Sequence, residues 1–299
     1  NGTTQFGCMC TSPHNDGTDV DVDKQTVMNP GGKTPGGYHA RLGGPNAWTS
    51  GEDPLYLITK NESGPKHAVT DSSCSMSSMT AGIKSYNNSV NVDAAGRPVA
   101  TIAHLAQEQG YGLGVVTSVP ISHATPACAY SHNVDRDDYQ DLTRDLLGLK
   151  SISHPETPLA GVDVLIGGGF GHERMIDRKQ GTNYVSGNVY LTDADLKASD
   201  VQHGGRYVTA IRTAGENGKS QLLAAAETAR RNQQRLLGFF GNGKYNGHLP
   251  FQTADGDYQR HGMATMRERA QSLGGRLSIV TGAGQGTRVI VTVPRRGRL

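Results

Sequence analysis

Residues 68–84 read Ala68-Val-Thr-Asp71-Ser72-Ser-Cys-Ser-Met76-Ser-Ser-Met-Thr-Ala-Gly-Ile-Lys84. A β-branched pair precedes this hydroxyl-rich segment and helix-compatible residues follow it, so Asp71 and Ser72 are predicted where a loop becomes a helix. A helix N-terminus offers unpaired N–H groups and a partial positive charge, which suit a phosphate bonded to a serine. The same residues are also typical N-caps, and taken alone they favour that interpretation.

Helix and strand patterns alternate outward from this segment. Residues 99–109 have apolar residues at helical spacing, and residues 112–118 predict a short buried strand. A second strand is predicted over 162–166, and a helix over 219–235 leads into a third strand over 236–240. This alternation predicts an α/β fold with a central, mostly parallel sheet flanked by helices.

Polar residues follow the first predicted strand, at the end where sites in open α/β sheets collect. His123 and Thr125 lie there, and a polar turn containing Arg136 leads into a helix predicted over 139–147. Arg136 could bind an anion through its planar fork of donors, but its acidic neighbours also permit a plain surface ion pair. The glycine run 167–171 lacks the order of a phosphate-binding loop and predicts a tight turn under close packing.

The composition bounds the class of protein. The 299 residues can bury a sizeable core as one large domain or two ordinary ones, and 40 glycines with 13 prolines indicate many loops. A net charge of +2 gives no reason to expect a nucleic-acid partner. No apolar run reaches the ~20 residues of a membrane span, and no signal sequence is visible. Because the chain begins at Asn1, we expect that a segment upstream has been removed or omitted.

Cysteines and histidines give weak metal signals. The 4 cysteines are too few and too unevenly spaced for a disulfide scaffold or a four-thiolate zinc site. His248 could bind a metal, although a hydrogen-bonded loop histidine is the favoured interpretation. The polar, glycine-rich start of the chain predicts an extended loop, with a solvated acidic stretch between Asp16 and Asp23 and a strand over 55–59.

Several segments, in order, resemble the alkaline phosphatases. Val69-Thr-Asp71-Ser72-Ser-Cys-Ser, with Gly82-Ile-Lys84-Ser-Tyr-Asn87 after it, is similar to the family's nucleophile segment. His123-Ala-Thr125-Pro126 resembles its magnesium-site motif, and His132-Asn-Val-Asp-Arg136 resembles the segment with its phosphate-clamping arginine. The resemblance covers roughly residues 58–258 and implies the family's α/β fold.

The resemblance implies a role for each matched residue. Ser72 would be the nucleophile that takes up the phosphoryl group, Asp71 would orient Arg136, and Arg136 would hold two phosphate oxygens. His123 and Thr125 would lie near the magnesium or third-metal site. The implied cofactors are zinc and magnesium, since a serine hydroxyl needs a metal ion to become a strong nucleophile.

The chain also departs from the family's pattern. Met76 stands where the family prefers a small residue, and Ser77 where it prefers threonine. The opening strand with a metal-binding Gly-Asp-Gly is not visible, and Asn15-Asp16-Gly17 is only a faint counterpart to which no role is transferred. The downstream segments that supply most of the zinc ligands are absent.

The sequence changes character after Tyr258. Residues of roughly 260–296 resemble the end of the ATP-binding domain of sensor histidine kinases and predict a helix and a β-hairpin. We therefore predict a glycine-rich loop region at 1–57, a partial, truncated phosphatase-like domain at 58–258 and a kinase-like tail at 259–299.

The predicted function is metal-assisted hydrolysis of small phosphate monoesters through a phosphoserine intermediate. One alternative is a catalytically impaired phosphatase fragment that binds phosphate or metal weakly, and a weaker one is an ATP-binding signalling module. The resemblance also implies an exported protein, secreted or periplasmic. Members of the family are often dimeric, so a homodimer is one expected assembly.

Overall fold

The computed structural model of the chain describes residues 13–36, 68–243, 270–271, 275–282 and 286–292. The chain forms two compact units, residues 1–253 and residues 254–299. The predicted strand over 55–59 and His248 lie outside the described residues. No helix in the described ranges is both long and apolar enough to cross a membrane.

Twelve strands and six α-helices have both of their ends within the described ranges. In chain order the strands are β1 (Asn15–Asp16), β2 (Val20–Asp21), β3 (Thr26–Val27), β4 (Thr34–Pro35), β5 (Gly114–Pro120), β6 (Val164–Gly168), β7 (Glu173–Arg174), β8 (Gly187–Asn188), β9 (Tyr207–Ile211), β10 (Arg235–Phe239), β11 (Arg276–Gly282) and β12 (Gly286–Thr292). The helices are α1 (Ser72–Thr80), α2 (Ile102–Glu108), α3 (Ala124–Ala127), α4 (Tyr139–Leu147), α5 (Asp193–Ser199) and α6 (Gly218–Asn232).

The centre of the first unit is a four-stranded sheet in the order β5-β6-β10-β9. Every neighbouring pair in it is parallel. Leu165 of β6 pairs with Leu237 of β10, which pairs in turn with Thr209 of β9. Parallel strands require long crossover connections, and the helices fill these connections. The prediction of an α/β fold with a central, mostly parallel sheet is confirmed.

Apolar side chains cover both faces of this sheet, because successive residues of a strand point to opposite sides. Leu237 belongs to a cluster with Leu165, Tyr207 and Leu146, all almost completely buried. Its neighbour Leu236 belongs to a second cluster, formed with the alanines of α6. Helices therefore pack on both faces, as in other sheets whose strands are all parallel.

Most predicted elements are present, with shifted ends. Helix α4 has the predicted bounds, and α6 begins one residue before the predicted start and ends earlier. Strands β6 and β10 overlap the segments predicted over 162–166 and 236–240. The edge strand β9 was not resolved in the sequence, because its five residues follow a polar stretch and carry no regular alternation of burial.

The turn after β6 is closely packed, as the glycine run predicts. Gly169 has a φ of +122°, and a Cβ atom there would lie 2.6 Å from the Phe239 ring. A Cβ on Gly167 would lie 2.7 Å from the Thr117 methyl group. No larger residue fits at either position without moving its neighbours.

Short strands replace part of the predicted N-terminal loop. Strand β1 pairs with β4, and β2 pairs with β3, in two antiparallel ribbons. In the second unit, β11 and β12 form an antiparallel hairpin, as predicted for the tail. Ala270 and Gln271 are helical, and the remainder of the predicted tail helix lies outside the described residues.

The core position Leu165 gives a test of the sheet. We expect Leu165→Ala to lower the free energy of unfolding by about 2–5 kcal/mol, because the side chain is fully buried and its removal leaves a cavity. Leu223→Ala on α6 is the matched control, since that leucine is 60% exposed, and it should change stability by less than about 0.5 kcal/mol. Urea denaturation measures both, and equal effects would contradict the assigned core.

Candidate active site

The site begins at the N-terminus of helix α1. Asp71 is its N-cap, with extended backbone, and its carboxylate accepts hydrogen bonds from the backbone N–H of Ser73 at 3.1 Å and of Cys74 at 2.9 Å. Ser72 is the first helical residue and its side chain is exposed. The capping interpretation therefore holds for Asp71, while the Ser72 hydroxyl faces solvent at the positive end of the helix.

Arg136 contacts both of these side chains. Its Nη1 lies 3.0 Å from Asp71 Oδ2 and donates to Ser72 Oγ at 2.7 Å. The Arg136 and Asp71 side chains are only 16% and 18% exposed, so the ion pair is largely shielded from water. Three residues singled out in the sequence, from segments some 65 positions apart, thus meet at one point.

Two asparagines hold the two segments together. Asn87 Oδ1 accepts the backbone N–H of Asp71 at 3.1 Å, and its Nδ2 donates to the Val69 carbonyl at 2.8 Å. The carbonyl of the next residue, Asn88, accepts the backbone N–H of Arg136 at 2.8 Å. Asn88 adopts a φ of 73°, a conformation that asparagine tolerates better than most residues.

Neither asparagine is predicted from the sequence to belong to the site, although Asn87 ends the segment that resembles the family's nucleophile segment. The available signal was the Asn87-Asn88 dipeptide, which is typical of a turn and can also hydrogen-bond the backbone. Its partners could not be read from the sequence, because they are distant in the chain.

The Asp71 carboxylate is held in its charged form. Burial would by itself raise its pKa, but hydrogen bonds from the side chains and backbone N–H groups of Ser73 and Cys74 lower the pKa to about 2. The Ser73 hydroxyl donates to Asp71 Oδ2 at 2.5 Å. A carboxylate with so low a pKa is suited to orienting a cation and is a poor base for deprotonating Ser72.

The acidic residues beside Arg136 have other partners. Asp137 pairs with Lys179 at 2.5 Å and accepts from the Tyr139 hydroxyl at 2.8 Å. Asp138 accepts from Asn133 Nδ2 at 2.7 Å. Burial raises the pKa of Asp135 to about 6. The sequence left open a plain surface ion pair between Arg136 and its acidic neighbours. In the structure, Arg136 pairs with Asp71 instead.

Small buried side chains pack α1 against the end of α3. The Ser77 hydroxyl lies 3.5 Å from the Cys128 sulfur, and that thiol lies 3.3 Å from the Ser73 carbonyl. Met76 packs against a cluster that includes Val90 and Cys128. The two departures from the family's pattern are thus accommodated behind Ser72. Burial raises the pKa of the Cys128 thiol to about 12, so it remains neutral.

His123 and Thr125 lie at the carboxyl end of strand β5. His123 is the residue before α3, and its ring stacks on Tyr139 with centroids 6.0 Å apart. Thr125 is exposed on α3. Within the described ranges, His123 is not part of any group of three or more His, Cys, Asp or Glu side chains that could hold a metal ion. The structure thus connects His123 to the Arg136 segment through Tyr139, without forming a complete metal site around it.

Acid titration tests the charged state of Asp71. Its folded pKa of about 2 lies below the ordinary 3.8, so its contribution to stability is present above pH ~4 and is lost as the pH falls through ~2. The contribution is about 2 kcal/mol, and D71N, which can still cap α1, should lack it. Unfolding free energies of both proteins should therefore converge as the pH falls from ~5 to ~2. Parallel pH profiles would contradict the assignment.

Comparison with known proteins gives a consistent result. Alkaline phosphatase 4 of Bacillus subtilis (strain 168) is 29% identical over 167 residues, which is 56% of this chain and 32% of that protein. Alkaline phosphatase 3 of the same organism is 35% identical over 141 residues, covering 44% and 29% of the two chains. The chain thus spans about a third of the length of these relatives.

A solved structure and a family model complete the comparison. The cold-active alkaline phosphatase of Shewanella sp. matches with 22% identity and a TM-score of 0.38, over 65% of this chain and 42% of that one. The alkaline phosphatase family model matches residues 47–270, well over half of the sequence. The chain therefore belongs to the alkaline phosphatase family.

Proposed function

We propose that this chain hydrolyses small phosphate monoesters by transferring the phosphoryl group to Ser72. The observation that carries the proposal is the contact of the Arg136 guanidinium with Ser72 Oγ at 2.7 Å, at the N-terminus of α1. A positive charge, the positive end of a helix dipole and an exposed hydroxyl meet there, and together they suit a phosphate dianion.

Binding of the phosphate is assigned to Arg136. Both described contacts of its guanidinium use Nη1, and the group carries further N–H donors that can hold two phosphate oxygens. Asp71 keeps the guanidinium beside Ser72, because the carboxylate is itself held by the first turn of α1. Arg136 would also offset the negative charge that is spread over the transferring phosphoryl group.

The reaction would proceed in two displacements at phosphorus. Ser72 Oγ forms a bond to phosphorus while the bond from phosphorus to the ester oxygen breaks, and the departing alcohol takes up the proton that the serine loses. A water molecule then attacks the phosphoserine, the Oγ–phosphorus bond breaks, and phosphate leaves while Ser72 regains a proton. The proposed contacts of Arg136 and Ser72 are with the phosphoryl group only. The alcohol that leaves can therefore vary.

Family membership implies zinc and magnesium as cofactors, which supply charge neutralisation and activate the serine when bound. The donors that the resemblance assigns to a metal beside Ser72 are the imidazole of His123 and the hydroxyl of Thr125, and in the described ranges His123 belongs to no group of three or more His, Cys, Asp or Glu side chains that could hold an ion. This set does not fit a complete zinc pair.

A second candidate function is phosphate binding with little turnover. It is favoured by the incomplete donor set at Ser72 and by the chain's span of about a third of its relatives. Elemental analysis of the purified protein separates the two candidates, since two or more tightly held zinc ions per chain would exclude the second.

The partners, the location and the assembly of the chain are proposed from its family membership. Small phosphate monoesters are the proposed partners, and export to a secreted or periplasmic location and assembly as a homodimer follow from the family. The division at 57/58 and 258/259, the resemblance of residues 260–296 to sensor kinases and the ATP-binding module that it implies remain predictions.

Substitution of the nucleophile tests the proposed chemistry. We expect Ser72→Ala to lower phosphomonoesterase activity by at least about 1,000-fold, because no hydroxyl remains to accept the phosphoryl group. Ser78→Ala is the control, since that hydroxyl lies on the same helix and bonds the Cys74 carbonyl. Activities are compared with zinc and magnesium added. Equal activity of wild type and S72A, or none in either, would contradict the catalytic proposal.

Substitution of the arginine tests phosphate binding separately from turnover. Arg136→Lys should weaken the affinity for inorganic phosphate by about 10-fold or more, because lysine lacks the planar fork that can hold Asp71 and phosphate together. Arg97→Lys is the control, since Arg97 is an exposed residue paired with Asp93. Calorimetric titration with phosphate gives both affinities, and an unchanged affinity of R136K would overturn the assignment.

A further inference from the structure

A second cluster of ligating side chains lies outside the Ser72 site. It consists of His132, Asp145 and His154, and one ligand atom from each lies within 4.8 Å of the others. His132 follows α3, Asp145 lies in α4, and His154 lies in the loop after α4. None of the three has a role in the proposed phosphoryl transfer.

The His132 ring is oriented by a hydrogen bond on one side only. Its Nε2 lies 2.9 Å from the Val99 carbonyl, so this nitrogen carries the proton and donates it. The other nitrogen, Nδ1, then holds a lone pair, and it is buried with no hydrogen-bond partner in the described part of the chain. The residue is only 5% exposed, and leaving such a polar atom unpaired is costly.

Burial also keeps this imidazole neutral. It lowers the pKa of His132 to about 4, which leaves the lone pair available near neutral pH. The ring is enclosed by His104, which stacks on it with centroids 5.1 Å apart. His104 Nδ1 accepts the backbone N–H of Thr101 at 3.0 Å and so is already engaged.

Asp145 brings a fully buried carboxylate to the same place. It accepts from the Ser151 hydroxyl at 2.5 Å and from the backbone N–H of His132 at 3.0 Å. Its ion-pair contact in the described ranges is His154 Nδ1, also at 3.0 Å, and no Lys or Arg nitrogen there lies within 4.0 Å. A buried carboxylate without a permanent cation favours binding of a positive ion.

Two imidazoles and one carboxylate form a donor set that zinc prefers. The surroundings have the features of a metal site, because ligating histidines usually donate their second N–H to a carbonyl or carboxylate, as His132 does to Val99. The His154 side chain is 15% exposed, so the cluster is not completely closed off from solvent. A water molecule would complete the coordination.

We propose that His132, Asp145 and His154 bind one Zn²⁺ ion through three protein ligands, at a position separate from Ser72. The ion would join the segment that carries Arg136, four residues after His132, to helix α4 and to the loop that follows it. Zinc at this position would therefore stabilise the segment that positions Arg136, without contacting the substrate.

The test compares zinc binding by the full chain and by two variants. His154→Ala removes the most exposed ligand, so folding should be retained, and Asp145→Asn keeps the size of the side chain. His203→Ala is the matched control, because His203 is exposed in a short 3₁₀ helix remote from these ligands in sequence. After chelator treatment, each protein is titrated with Zn²⁺ against a chromophoric chelator, and the bound zinc is counted by elemental analysis.

We expect wild type and H203A to hold one more Zn²⁺ per chain than H154A and D145N. Added zinc should also raise the melting temperature of wild type and H203A by more than that of H154A and D145N. Equal zinc content and affinity in wild type and H154A would overturn the proposal, as would the absence of tight zinc binding by wild type. Should D145N fail to fold, the comparison of H154A with H203A decides the result alone.

Discussion

The Asp71 carboxylate is the group on which the arrangement of the site depends. One side chain caps helix α1 through two backbone N–H groups and pairs with Arg136 across about 65 residues of chain. The two backbone hydrogen bonds that start the helix are among those that hold the carboxylate in its charged form. The helix dipole, the exposed serine and the guanidinium are therefore fixed relative to one another by a single carboxylate.

The parallel sheet contributes to this arrangement indirectly. Strand β5 ends at Pro120, and His123 and α3 follow at once, so the packing of α3 against α1 connects the nucleophile helix to the sheet. Asn87 and Asn88 then connect the Asp71 and Arg136 segments by backbone hydrogen bonds. A rigid sheet with polar loops at one end is the general way in which α/β proteins build such sites.

Local patterns predicted much of the fold, and ordered motifs predicted which residues meet. Helix α4 could be read from its apolar spacing, and Asp71, Ser72 and Arg136 from the family's motifs. Short strands among polar loops are predicted over residues 172–220, but the five residues of β9 carry no regular alternation that would locate it. The partners of Asn87, and the meeting of His132 with His154, depend on tertiary contacts that no local pattern carries.

Mapping the site of phosphorylation distinguishes phosphoryl transfer to Ser72 from transfer to any other residue. The protein is mixed with a phosphomonoester, quenched in acid to preserve phosphoserine, digested, and analysed by tandem mass spectrometry. We expect a phosphate on Ser72, on a peptide that includes its neighbours Ser73 and Ser75 without phosphate. Phosphate on another serine, or none on any residue of α1, would contradict the central claim that Ser72 accepts the phosphoryl group.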